Sequence, residues 1–131
     1  MKVAVDTNVL VRAIVADDEE QAEKAVALLD TADMVAVSLQ TLCELVWVLR
    51  SAYKVSRADA AAAIRALLDT RNVVANRPAA QAGLALLEAG GDFADGVIAW
   101  DGSFLGGDTF VSFDKKAVAL LTKQGHAAQL L

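Results

Sequence analysis

The chain has 131 residues, a net charge of −5 and 56% hydrophobic residues. These values predict one folded domain over residues 1–131 and argue against a disordered chain. A protein that coats nucleic acid without sequence preference would carry the opposite charge balance, although a local basic rim can coexist with an acidic total. The single cysteine, Cys43, fits a reducing cytoplasm, and no apolar run approaches the roughly 20 residues of a membrane helix. We therefore expect a cytoplasmic enzyme or binding domain without a membrane segment.

Short runs rich in β-branched residues alternate with longer segments of helical periodicity. In chain order, the pattern predicts a strand at 2–6, helices at 8–16 and 17–32, a strand at 34–38 and helices at 40–53 and 56–70. The second half of the pattern predicts a weak strand at 72–75, helices at 77–91 and 94–105, a strong strand at 109–113, a helix at 114–124 and a marginal strand at 127–131. Strands separated by helices pair in parallel through right-handed crossovers. The sequence therefore predicts an α/β fold with three layers, α/β/α, around a central parallel sheet of four to five strands.

Two aspartates lie at the carboxyl ends of predicted strands. Asp6 ends the first strand, and Asp114 follows the fourth. Because ligands of open parallel sheets bind beyond the carboxyl ends of the strands, both side chains are expected at the same functional edge. Aspartate is also a preferred helix N-cap, and the two roles are compatible.

A third acid, Glu44, lies inside a predicted helix among large apolar residues. An ionised carboxylate on a mostly apolar face needs a metal ion or an ion-pair partner. A salt bridge to Arg12 or Arg50 therefore stays open beside a catalytic role. Asp92 and Asp95 follow a glycine pair, and their spacing places both on one face of a helix, so that one can cap the helix while the other points into a cleft.

Together, Asp6, Glu44, Asp95 and Asp114, with Asp92 beside them, are expected to converge at one edge of the sheet. Carboxylates packed this closely repel one another strongly unless a divalent cation neutralises them. Oxygen-only ligands favour Mg²⁺ or Mn²⁺ over Zn²⁺. Since such a cation can activate water and stabilise in-line attack on phosphorus, the residues predict metal-dependent hydrolysis of a phosphodiester or phosphate ester.

Four segments resemble the motifs of PIN-domain ribonucleases, in particular the VapC-type toxins of toxin–antitoxin pairs. They are residues 5–12, 42–49, 92–99 and 110–117, and the resemblance runs from residue 2 to about residue 120. It implies a compact α/β fold and Mg²⁺- or Mn²⁺-dependent endonucleolytic cleavage of RNA that leaves a 5′-phosphate and a 3′-hydroxyl. It also implies a homodimer and inhibition by a cognate VapB-like antitoxin, which would cover the cleft with an apolar and basic segment.

Matched motif by motif, the resemblance assigns the catalytic and metal-binding roles to four acids, with Asp92 as a further ligand. The four acids are Asp6, Glu44, Asp95 and Asp114. Thr7 and Ser112 occupy positions where hydroxyl groups orient the acids. Gly96 departs from the family pattern, because a larger residue is more usual there, and the glycine is expected to loosen the helix after Asp95.

Three cationic residues are candidates for substrate contacts. Arg12 ends the first motif, one helical turn beyond Asn8, and balancing the charge of the acids is favoured there over contacting an RNA phosphate. Lys115 and Lys116 follow Asp114 directly and form either a phosphate-binding rim or an ordinary solvated face.

Both tryptophans, Trp47 and Trp100, lie in apolar helical runs and are expected in the core rather than stacked on bases. Neither glycine pair is followed by Gly-Lys-Ser/Thr, so no nucleotide cofactor is expected.

Two other functions stay open at this point. An acid-cluster phosphatase or phosphoacceptor domain would also carry an aspartate after its first strand. Phosphatases of the haloacid-dehalogenase type need a second acid two residues later, where this chain has Asn8. A catalytically inert PIN-like module kept for binding alone is the second alternative, and the presence of all four acids disfavours it.

Overall fold

The computed structural model describes residues 1–131 and contains seven helices and five strands. The helices are α1 (Thr7–Val15), α2 (Glu19–Thr31), α3 (Leu39–Ser51), α4 (Arg57–Leu68), α5 (Arg77–Glu88), α6 (Phe93–Phe104) and α7 (Lys115–Lys123). The strands are β1 (Lys2–Ala4), β2 (Met34–Ala36), β3 (Val73–Val74), β4 (Phe110–Ser112) and β5 (Ala128–Leu130). Every predicted element is present, so the α/β class is confirmed. None of the helices combines the length and apolar character that a membrane span requires.

The chain divides into two compact units, Met1–Asn76 and Arg77–Leu131. In the first unit, β2 lies between β1 and β3 in a parallel sheet, with Val35 opposite both Val3 and Val73. In the second unit, β4 and β5 pair in parallel, with Val111 opposite Gln129. All five strands pair in parallel as predicted, but they form a three-stranded and a two-stranded sheet instead of the predicted single sheet of four to five strands.

The core of the first unit includes one face of α3, which determines where Glu44 lies. Four residues on that face are buried: Leu42, Leu45, Val46 and Leu49. Glu44 and Trp47 lie on the opposite side of α3 and are exposed, and Trp47 is 68% exposed. The prediction that Trp47 packs in the core is therefore wrong, because helical spacing places it off the stripe that α3 buries.

Close packing of α5 against α6 organises the second unit. A Cβ atom at Gly83 would lie 2.7 Å from the Phe93 ring, and a Cβ atom at Gly96 would overlap the carbonyl oxygen of Ala82. The expected loosening at Gly96 is absent, since α6 continues through this residue and the missing side chain lets the two helices approach. Trp100, expected in the core, is half-buried and stacks on Phe104 with the ring centroids 5.6 Å apart.

Two glycine substitutions on α6 test this packing. Gly96→Ala should lower the free energy of unfolding by about 1–3 kcal/mol, because the added methyl group overlaps the α5 backbone. Gly102→Ala should raise it by about 0.5–1 kcal/mol, because no atom lies within 4 Å of the new Cβ and alanine favours the helix. Chemical denaturation measures both values. Equal effects at the two positions would contradict a close contact at Gly96.

Candidate active site

Three of the candidate acids, Asp6, Asp92 and Asp114, are helix N-caps. Each lies directly before a helix with extended backbone, and its Oδ1 atom accepts hydrogen bonds from backbone N–H groups of the first turn. The donors are Val9 at 3.2 Å for Asp6, Ala94 at 3.1 Å for Asp92, and Lys116 and Ala117 at 3.0 and 3.1 Å for Asp114.

Capping uses one oxygen of each carboxylate. The Oδ2 atoms of Asp6, Asp92 and Asp114 take no part in these hydrogen bonds, and all three residues are exposed. The expected cap roles are therefore present, and they leave a second oxygen on each residue for a ligand. The positive end of the helix dipole also favours the ionised carboxylates.

Glu44 is oriented by Thr7. The Thr7 hydroxyl donates a hydrogen bond of 2.8 Å to Oε2 of Glu44, which joins the first residue of α1 to the second turn of α3. Thr7 therefore contacts one of the acids through its hydroxyl group, as predicted.

The alternative of a structural salt bridge at Glu44 is wrong. The Arg12 guanidinium pairs with Asp17, and the Arg50 guanidinium donates to the carbonyl oxygen of Val55. Because Glu44 is exposed, water solvates its charge, and the carboxylate needs no ion-pair partner.

Asp95 lies in the first turn of α6 in the second unit and is half-buried. Burial raises the pKa of this carboxyl above its usual value, and the negative charges of Asp92 and then Asp114 raise it further. The carboxylates of Asp92 and Asp114 are therefore close enough to Asp95 to disfavour its charge. Ser112 orients the backbone at Asp114. Its Oγ accepts a 2.9 Å hydrogen bond from the N–H of Asp114, and this hydrogen bond fixes the turn after β4.

The donor chemistry of these residues fits a hard divalent cation. All of the candidate ligands are carboxylates, and the repulsion at Asp95 is of the kind that a bound cation relieves. No three of the His, Cys, Asp and Glu side chains are grouped in a way that could hold a metal ion. The residues therefore fit the ion in type and charge but do not form a preassembled site.

The cationic candidates occupy different environments. Arg12 is partly buried on α1, with its side chain 30% exposed, and Nη1 lies 3.0 Å from Oδ1 of Asp17. Its charge therefore balances Asp17, not the candidate catalytic acids. Lys115 and Lys116 are exposed in the first turn of α7, where the helix dipole disfavours a positive charge.

Sequence reasoning missed the contact between Asp17 and Tyr53. The Tyr53 hydroxyl donates a 3.0 Å hydrogen bond to Oδ2 of Asp17, so both carboxylate oxygens are occupied. Ala16 adopts a left-handed conformation with φ of 57°, which returns the chain towards α1. Nothing in the local sequence marks this conformation, because alanine rarely adopts it.

Residues 3–120 match the PIN domain family, which covers nearly the whole chain and both units. The chain belongs to the PIN domain family. PIN domains have a three-layer α/β/α fold, are generally nucleases and typically use divalent metal ions. No curated protein matches this PIN-domain chain.

The electrostatics of Asp95 predict a gain in stability on neutralisation. A raised pKa means that the folded protein holds the Asp95 proton more tightly than the unfolded chain does, so stability falls as the pH rises from the usual value of 3.8 through the raised pKa. Asp95→Asn should therefore raise the Tm near pH 7 and change it little below the usual pKa.

Thermal unfolding in EDTA across this pH range measures the effect. Asp101→Asn, which removes an exposed carboxylate from the same helix, is the matched control. A Tm for Asp95→Asn at or below that of the parent protein at neutral pH would contradict the repulsion.

Proposed function

We propose that the protein is a metal-dependent endoribonuclease that hydrolyses RNA phosphodiester bonds. The observation that carries the proposal is the half-buried Asp95 carboxyl, whose charge is disfavoured by burial and by the neighbouring Asp92 and Asp114, in a chain of the PIN domain family. A folded protein retains a half-buried carboxyl beside two other acids at a cost in stability, and perturbed carboxyls of this kind cluster at functional sites. A divalent cation is the partner that their chemistry fits best.

The residues proposed to hold Mg²⁺ or Mn²⁺ are those that the motif resemblance assigns: Asp6, Glu44, Asp95 and Asp114, with Asp92 as a further ligand. When bound, the cation supplies a water of lowered pKa and stabilises negative charge on the reacting phosphate. The N-cap hydrogen bonds hold Asp6, Asp92 and Asp114 in fixed orientations.

Other side chains have supporting roles. Thr7 fixes the rotamer of Glu44, and Ser112 fixes the turn that presents Asp114. Lys115 and Lys116 supply positive charge beside Asp114, at a helix end where cations destabilise the free protein. An RNA phosphate at this position would offset that cost, and Arg12 is a further candidate contact.

We further propose that the nuclease is the toxin of a type II toxin–antitoxin pair. The resemblance of residues 5–12 to VapC-type toxins supports this role. The protein would act in the cytoplasm as a homodimer, with RNA as its substrate and a cognate VapB-like antitoxin as its inhibitor.

Charge neutralisation at the caps tests the proposed function. Asparagine is as good an N-cap as aspartate, so Asp6→Asn and Asp114→Asn retain the capping oxygen while they remove the charge. Each should reduce RNA cleavage by more than the roughly 100-fold expected for an outer residue of a metal site. The assay is cleavage of end-labelled total RNA by purified, antitoxin-free protein with Mg²⁺, Mn²⁺ or EDTA.

Asp101→Asn again serves as the control and should cut at the parent rate. Cleavage that survives in EDTA, or in either cap variant, would contradict the proposal. A folded parent protein that cuts no RNA with either metal would favour the inert binding module.

Thr7 offers a second test at an uncharged position. Thr7→Val removes the hydroxyl that orients Glu44 and keeps the shape of the side chain. Its rate at saturating Mn²⁺ should fall about 10- to 100-fold, as expected for a residue that orients a ligand. Thr7→Ser keeps the hydroxyl and should stay near the parent rate, so equal losses in the two variants would count against this role.

A further inference from the structure

Trp47 is a large side chain that the core of the first unit does not use. It is 68% exposed on α3, on the side away from the buried residues Leu42, Leu45 and Leu49. Its indole takes part in no ring contact and no hydrogen bond of the fold. The packing of the first unit therefore does not account for a tryptophan at this position.

The neighbours of Trp47 on the surface of α3 are polar or small. Side chains three and four residues apart lie beside one another on a helix, and those around Trp47 are Cys43, Glu44, Arg50 and Ser51. Protein–protein interfaces bury their aromatic residues in an apolar centre from which charged residues are depleted. An isolated indole between an acid and an arginine does not form such a centre, so its surroundings disfavour an apolar protein partner.

Trp47 lies beside one of the candidate catalytic acids. Glu44 precedes it by three residues, which places the two side chains on one side of α3, about 4.5 Å apart along the helix axis. The Thr7 hydroxyl donates a 2.8 Å hydrogen bond to Oε2 of Glu44 and fixes that carboxylate next to the indole. A nucleotide bound at the proposed site would therefore have the indole within reach of its base.

A nucleobase is the flat partner that fits an exposed indole with polar neighbours. Every base has a π-face that stacks on an aromatic ring, while its edge carries polar groups. Stacking needs no positive charge, which suits a chain with a net charge of −5. In a duplex the neighbouring base pairs cover both faces, so an aromatic side chain stacks on bases of unpaired strands, loops and ends.

We propose that Trp47 is a stacking platform for an unpaired base near the scissile bond, so that the substrate class of the nuclease is single-stranded RNA. The inference rests on the proposed function, which it deepens by naming the form of RNA that the site accepts. Because every base can stack, Trp47 contributes affinity and selection for an unpaired strand, not the identity of the base.

Binding without cleavage tests the platform separately from the nuclease activity. The probes are a short, fluorescein-labelled single-stranded RNA of mixed sequence and the same RNA annealed to its complement, titrated in EDTA at several salt concentrations. Trp47→Leu should weaken binding of the single strand about 5- to 150-fold, the range for one lost stacked base. The slope of log affinity against log salt should not change, because no phosphate contact is lost. The affinity for the duplex should also stay the same.

Two variants serve as controls for Trp47→Leu. Trp47→Phe keeps an aromatic ring and should retain part of the affinity that the leucine variant loses. Val26→Ala removes an apolar side chain that is 43% exposed on α2, and it should change neither affinity nor slope. Equal losses in the leucine and phenylalanine variants, or a smaller salt slope in Trp47→Leu, would overturn the stacking role.

The fluorescence of Trp47 gives a direct readout of stacking. Trp100→Phe leaves Trp47 as the single tryptophan of the chain. Its emission should be quenched by the single strand, and the duplex should have little effect. An indole that is shielded from acrylamide without RNA, increasingly so at higher protein concentration, would place a second copy of the chain on this surface and overturn the platform.

The outcomes separate this inference from the proposed function. A parent protein that cuts RNA while Trp47→Leu binds the single strand with unchanged affinity would overturn the platform and leave the nuclease proposal intact. Single-strand binding that depends on Trp47 in a protein that never cuts RNA would support the platform and overturn the nuclease proposal. A parent protein that binds the duplex as tightly as the single strand would also overturn the platform.

Discussion

Helix N-capping orients three of the proposed metal ligands. Asp6, Asp92 and Asp114 each follow a turn or strand and begin a helix, where backbone N–H groups hold one oxygen and the helix dipole favours the negative charge. The same interaction that starts the helix therefore orients a carboxylate and leaves its second oxygen exposed. The capping role of each residue is therefore compatible with its proposed role as a metal ligand.

The surroundings of Asp95, unlike those of the three capping aspartates, disfavour a negative charge. No cap stabilises its charge, and burial and two neighbouring carboxylates disfavour ionisation. Its helix is held by the close α5–α6 contact at Gly96, so the carboxylate cannot move away without disturbing the packing of the second unit. A rigid scaffold that holds charges in an unfavourable arrangement is typical of sites that gain their stabilisation from a bound cation or substrate.

Much of the fold could be predicted because the strands, helices and caps are local features of the sequence. The hydroxyl of Thr7 and the order of the acids could also be recognised from motifs. The position of Trp47 could not be predicted from its apolar surroundings, since only three-dimensional packing shows which face of α3 is buried. The pairing of Arg12 with Asp17 depends on a left-handed alanine and on a tyrosine 36 residues further along the chain. The raised pKa of Asp95 likewise depends on residues that only folding brings together.

The termini of the cleavage products distinguish hydrolysis by water from attack by the RNA's own 2′-hydroxyl. When water attacks phosphorus in line and the P–O3′ bond breaks, the 3′-oxygen takes up a proton and leaves, which gives a 5′-phosphate and a 3′-hydroxyl, the termini expected for the proposed nuclease. Attack by the neighbouring 2′-hydroxyl would instead leave a 2′,3′-cyclic phosphate and a 5′-hydroxyl. We expect the fragments made by purified protein with Mn²⁺ to carry 5′-phosphates, and to form equally well when the 2′-hydroxyl at the cut site is removed. Fragments with 5′-hydroxyl ends, or cleavage that is lost with the 2′-hydroxyl, would contradict the mechanism.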